Sequence, residues 1–128
     1  MKKISISLLL VCCIICTILP AIADDGYMPY SGVGLRFVAT VTISNGRATA
    51  SGGLASLSSG KIQITIYLQE KKGSTWRTIA SEIGDTSAQV SASATKNCTY
   101  RAMVKWKEYD SSNTLIDSGT YYGSEQTY

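Results

Sequence analysis

The sequence predicts an all-β protein, a seven-stranded antiparallel β-sandwich. Apolar and polar residues alternate in several segments, most regularly over residues 61–70, KIQITIYLQE. An alternation of period two puts one face of a strand in the core and the other in solvent. Turn-forming residues separate these segments roughly every 8–12 positions, which is typical of sandwiches and barrels. No segment has the 3.6-residue period of an amphipathic helix.

Residues 1–23 predict a secretory signal peptide that is cleaved on export. Lys2 and Lys3 precede an apolar run over residues 8–19, and the small-residue site Ala-Ile-Ala follows at 21–23. This is the order of charge, apolar region and cleavage site in signal peptides. The apolar run is shorter than the ~20 residues that span a bilayer. We therefore expect a secreted, extracellular protein without a retained membrane anchor.

The part that remains after cleavage is expected to fold on its own core. It has 105 of the 128 residues, enough for one domain that buries roughly 65% of its unfolded surface. Only Cys98 remains of the four cysteines, and we expect a small buried residue there; an intermolecular disulfide or a reactive thiol are the alternatives. Loss of Lys2 and Lys3 lowers the net charge from +3 to +1, which gives no reason to expect a nucleic-acid partner.

The first predicted element of the domain is a β-hairpin. Residues 24–34 form an irregular leader, and residues 35–44 then alternate before Asn45-Gly46. Asn-Gly between two alternating segments is a strong hairpin signal, because a type I′ turn needs positive φ at both central residues. The turn predicts a register in which small or apolar residues of 47–54 face the apolar residues of 35–44.

Five further strands are expected after this hairpin, at 61–70, 75–82, 86–95, 99–109 and 115–122. The domain therefore spans residues 35–122, and residues 123–128 form a polar tail. The long strands 61–70 and 99–109 would form the centre of one sheet, flanked by 75–82 and 115–122. The other three strands would form the second sheet. Its inward residues are mostly alanine and glycine, which suit the large side chains of the first sheet.

The start of the sixth predicted strand resembles a known structural motif. Tyr100-x-Ala102-x-Val104, entered through Lys96-Asn97-Cys98, resembles the tyrosine corner of immunoglobulin-like and fibronectin type III domains. The domain as a whole resembles small secreted β-sandwich proteins of Gram-positive bacteria. The resemblance implies an immunoglobulin-like sandwich in which Tyr100 bonds back to the preceding loop. The chain departs from antibody domains in lacking their paired cysteines and central-strand tryptophan.

The residue content argues against an enzyme. The chain has no histidine, which removes the commonest general base, the Ser-His-Asp and Cys-His arrangements and most zinc sites. Glu70 and Glu108 end the two long strands, but antiparallel pairing would put them at opposite ends of the sheet, too far apart for a glycosidase pair. Residues 110–113 lack the glycine and glutamate of a calcium loop and predict a turn. No cofactor or metal is expected.

One sheet face is the candidate binding surface. If Tyr100 and Trp106 point into the core, the alternate residues of strand 99–109 point outward beside Gln63, Thr65, Tyr67 and Gln69, with Arg77 as an addition from the flanking strand. Aromatic and arginine side chains are enriched at interfaces, and lysines suit an acidic partner. The predicted face consists of Tyr67, Arg101, Met103, Lys105, Lys107 and Tyr109. The alternative is a solvated face whose lysines prevent association of sheet edges.

These observations favour a small non-enzymatic binding module, outside the cell or at its surface. Its partner would be a cell-envelope polymer, a glycan or a protein, bound through the predicted face. The alternative is a self-associating structural or toxin-like, antimicrobial protein that pairs through its edge strands. Tyrosines near both ends of the domain suggest this alternative: Tyr27, Tyr30, Tyr121, Tyr122 and Tyr128.

Overall fold

A computed structural model describes residues 36–55 and 60–128. The regular elements of these two ranges are all β-strands. They are β1 (Arg36–Ser44), β2 (Arg47–Ala55), β3 (Lys61–Lys72), β4 (Thr75–Gly84), β5 (Ser87–Ser93), β6 (Thr99–Tyr109), β7 (Leu115–Tyr122) and β8 (Gln126–Thr127). The predicted signal peptide, the leader and Leu35 lie outside the described residues.

The strands form two antiparallel sheets, as predicted. One has the order β1-β2-β5, and the other has the order β4-β3-β6-β7 with β8 paired to the start of β6. All seven predicted strands are present, with β3 and β4 each extended by two residues at their ends and β5 shortened to Ser87–Ser93. The predicted count of seven is wrong because the tail contributes β8, whose polar residues gave no alternation to recognise.

The β1-β2 hairpin has the predicted turn and register. Asn45 and Gly46 have φ values of 50° and 72°, the left-handed conformation that a type I′ turn requires. Ile43 lies opposite Ala48, and Val41 opposite Ala50. The inward residues of both strands are therefore those chosen by the hydrophobic pattern.

The core joins large side chains of one sheet to small ones of the other. Ile64, Ile66 and Leu68 of β3 are completely buried, and so is Tyr100 of β6. Opposite them, a Cβ on Gly52 would lie 2.7 Å from Val104 Cγ2 and 2.9 Å from Ile66 Cδ1. These distances are too short for a side chain, so the small residues of β2 are what lets the two sheets approach.

Arg77 does not lie on the face on which the sequence placed it. Gly73 and Ser74 form the turn between β3 and β4, so that Lys72 pairs with Thr75 and Arg77 pairs with Glu70. Arg77 therefore lies at the end of the inward row. Further along, the register shifts between Leu68 and Gln69, and the extra residue of such a bulge leaves no signal in an alternation pattern.

Candidate binding face

The predicted binding residues lie on the side of the β4-β3-β6-β7 sheet that faces away from the β1-β2-β5 sheet, here called the outer face. The register pairs Gln69 with Arg101, Tyr67 with Met103, and Thr65 with Lys105. It continues with Gln63 beside Lys107 and Lys61 beside Tyr109. Tyr100 and Trp106 are buried on the opposite side of β6, so the predicted parity of this strand is confirmed.

Met103 is on the predicted face but is not exposed, which corrects the prediction. Its exposed fraction is 8%. Its neighbours across the two flanking strands are Tyr67 of β3 and Tyr122 of β7, and two such large rings leave little of the methionine accessible. Gln69 was expected to be exposed, but its exposed fraction is only 7%, since its side chain is hydrogen-bonded to Arg101 beside it.

The guanidinium of Arg101 is held between two aromatic rings. Its Cζ lies 4.2 Å from the ring centroid of Trp76 and 4.3 Å from that of Tyr122. Arg101 Nε also donates to Gln69 Oε1 at 2.9 Å. Lys71 Nζ extends the row, 5.4 Å from the Trp76 centroid. We call Lys71, Trp76, Arg101 and Tyr122 the cation–aromatic stack; it joins edge strand β4 to edge strand β7.

An open groove of about 450 Å³ lies on the same face beside the stack. Its floor and walls combine two lysines, one tyrosine, hydroxyl groups and an amide: Gln63, Thr65, Tyr67, Lys105, Lys107, Ser118 and Thr120, with Trp106 and Gly119 below. Lys105 Nζ lies 5.6 Å from the ring centroid of Tyr67. The sequence prediction missed Ser118 and Thr120, which the register places directly beside Lys107 and Lys105.

The groove carries two lysines that no carboxylate of the described residues neutralises. Near the Glu70 end of the sheet, Lys71 pairs with Glu125, and both Lys72 and Arg77 pair with Glu70. Within the described residues, Lys105 and Lys107 form no ion pair, although both side chains are exposed. Tyr109 lies beyond the groove, opposite Lys61 and Leu115. The predicted face therefore divides into a rigid stack, a cationic groove and an outlying tyrosine.

Glu70 is the centre of a buried polar cluster, at the opposite end of β3 from Lys61. The Tyr100 hydroxyl donates to Glu70 Oε1 at 3.2 Å and accepts from the Thr95 amide at 2.7 Å. Burial raises the pKa of the Glu70 carboxyl, but hydrogen bonds from Lys72, Cys98 and Tyr100 and the charge of Lys72 outweigh it, so the pKa is lowered.

Cys98 differs from its predicted environment. Its side chain is half-buried and not part of a disulfide, it packs against the core, and its thiol is one of the groups that lower the pKa of Glu70. The prediction of a small, buried, apolar cysteine is therefore only partly correct.

The two carboxylates considered for catalysis are far apart, as the sequence predicted. Glu70 lies opposite Tyr100, whereas Glu108 lies opposite Ile62, eight residues further along β6. At ~3.3 Å per residue this separates them by roughly 26 Å. Residues 110–113 form the predicted turn, in which Asp110 Oδ1 accepts from the amides of Ser112 and Thr114 at 2.9 and 2.8 Å. The described residues contain no cluster of potential metal ligands.

Comparisons with protein-family models, with curated proteins and with solved structures find no match to this chain. Among the described residues, no helix is long and apolar enough to cross a membrane.

Proposed function

We propose that this protein is a secreted, non-enzymatic binding module that holds an anionic cell-envelope polymer or glycan in the groove of its outer face. The observation that carries the proposal is the pair Lys105 and Lys107, exposed in a concave site and without a carboxylate partner in the described chain. Unpaired like charges side by side are unfavourable for a folded protein alone, and a bound anion removes that repulsion.

We further propose that the module is of the immunoglobulin-like type. Labelled in chain order, β1, β2 and β5 correspond to strands A, B and E, and β3, β6 and β7 correspond to C, F and G. The hydrogen bond that the Thr95 amide donates to the Tyr100 hydroxyl, at 2.7 Å, supports a tyrosine corner at the start of strand F. This fold presents flat sheet faces and loops but does not itself imply a ligand.

The proposal is tested with two charge-matched double variants. Lys105→Gln/Lys107→Gln removes the groove charge, and Arg47→Gln/Lys96→Gln removes two exposed cations elsewhere. We expect the first to lose about tenfold in affinity for purified anionic wall polymer in a co-sedimentation assay, and the second to retain it. Binding of the unmutated protein should weaken as salt rises. Equal losses in both variants would show a non-specific effect of net charge.

Self-association is the second candidate function. Apolar side chains are exposed on both edge strands of the larger sheet, with Ile83 of β4 exposed to 63% and Ile116 of β7 to 55%. Three of the tyrosines that suggested this function have contacts within the domain. Tyr121 stacks on Phe37, Tyr122 contacts Arg101, and the amide of Tyr128 donates to the Cys98 carbonyl. The concentration dependence of sedimentation separates the two candidates.

A further inference from the structure

We infer that the groove takes an acidic sugar, in which a pyranose ring lies against Tyr67 while its anionic group is bound by Lys105 and Lys107. The inference rests on the proposed function and specifies the chemical class of the ligand. A partner that offers charge alone, such as a bare polyphosphate, would use the two lysines but not the Tyr67 ring.

The combination of side chains in the groove carries this inference. Lysines alone would bind any polyanion, but here they are surrounded by Gln63, Thr65, Ser118 and Thr120. These amide and hydroxyl groups both donate and accept hydrogen bonds, which matches the hydroxyl groups of a sugar. A phosphate chain, in contrast, offers acceptors only.

Tyr67 gives the groove an apolar surface of the right kind. The ring is half-exposed at the middle of β3. The face of an aromatic ring packs favourably against the flat C–H face of a sugar ring. Lys105 Nζ lies 5.6 Å from the ring centroid, near the outer limit of a cation–π contact. A ligand can therefore displace this weak contact, placing its ring on Tyr67 and its anion on the ammonium group.

The size and the base of the groove suit one or two sugar residues. Its volume of about 450 Å³ lies within the range of small-molecule sites. Gly119 and Trp106 lie at its base. The adjoining stack fixes the end of the groove, because the Arg101 guanidinium is held between two rings.

The test compares three soluble probes by isothermal titration calorimetry: a uronic acid trisaccharide, a neutral trisaccharide and inorganic tripolyphosphate. Tyr67→Leu removes the ring, and Tyr67→Phe retains it. We expect Tyr67→Leu to weaken uronate binding about five- to tenfold, with tripolyphosphate unchanged and Tyr67→Phe restoring the affinity. Unchanged tripolyphosphate binding also shows that the variant is folded. Lys105→Gln should weaken both anions, and the neutral sugar should bind least.

The outcomes separate this inference from the proposed function. Uronate binding that depends on Lys105 but not on Tyr67 would overturn the acidic sugar and leave an anion-binding groove. Equal losses of uronate and tripolyphosphate in Tyr67→Leu would overturn it as well, since the ring would then serve only the fold. Binding of neither anion would overturn both proposals.

Discussion

Trp106 is the residue on which the core should depend most. Its indole is 6% exposed and lies 5.5 Å from the Phe37 ring, centroid to centroid. We expect Trp106→Ala to lower the free energy of unfolding by ~3–5 kcal/mol, measured by urea titration. Trp106→Phe keeps most of the volume and should lose less. A loss below about 1 kcal/mol for the alanine variant would contradict the packing described here.

Glu70 should make stability depend on acid pH. Its pKa in the folded protein lies below the ordinary value of 4.5, so its charged form stabilises the fold above that value and the contribution is lost as pH falls through the folded pKa. Glu70→Gln should be less stable at neutral pH by ~1–3 kcal/mol and should lose less on acidification than the parent. Parallel melting-temperature profiles of both proteins between neutral and acid pH would contradict this.

For a single residue, the sequence predicts the side of the sheet on which its side chain lies better than it predicts the exposed fraction of that side chain. Alternation alone placed Tyr100 and Trp106 inside and Lys105 and Lys107 outside, and the structure agrees. Met103 has the parity of an exposed residue yet is buried, because exposure also depends on the size of its cross-strand neighbours. Those neighbours are known only once the register of three strands is known.

The cation–aromatic stack connects the two edge strands of the larger sheet, β4 and β7, through side-chain contacts with Arg101. We expect Arg101→Gln to destabilise the domain by ~1–2 kcal/mol, whereas Lys107→Gln on the same strand should stay within ~0.5 kcal/mol. A double-mutant cycle with Trp76→Leu isolates the contact between the two side chains. Additive losses in the cycle would mean that the contact with Trp76 contributes nothing and that Arg101 stabilises through Tyr122 and Gln69 alone.

The elements themselves followed from the sequence to different degrees. Asn45-Gly46 determines a turn type and, through it, every pair of the β1-β2 register. The β4 bulge and strand β8 had no comparable local signal. The bulge shifts the β3-β4 register between Leu68 and Gln69, and β8 pairs Thr127 with Thr99 and Gln126 with Tyr100. Neither feature is indicated by a turn sequence or by an alternation of apolar and polar residues.

For the whole molecule, the question is whether copies associate through the exposed edge strands β4 and β7 or remain monomeric. If the binding proposal holds, the sedimentation coefficient should not change with concentration over the micromolar range. If copies pair through β4 or β7, it should rise with concentration, and Ile83→Lys or Ile116→Lys should abolish the rise, since a lysine on an edge opposes strand addition. A rise that neither variant reduces would exclude these two edges as the contact.

The backbone hydrogen bonds that hold the C-terminal tail to the start of β6 determine how the domain responds to a pulling force. The Asn97 amide donates to the Tyr128 carbonyl at 2.7 Å, and the Tyr128 amide donates to the Cys98 carbonyl at 3.0 Å. A pull applied at Tyr128 meets these bonds one after another, so β8 would peel from β6 before the bonds between β3 and β6, which a pull along the strands loads together. The tail would give way under small forces while the Tyr100–Glu70 contact still held, and a tethered molecule would lengthen slightly before its sandwich opened.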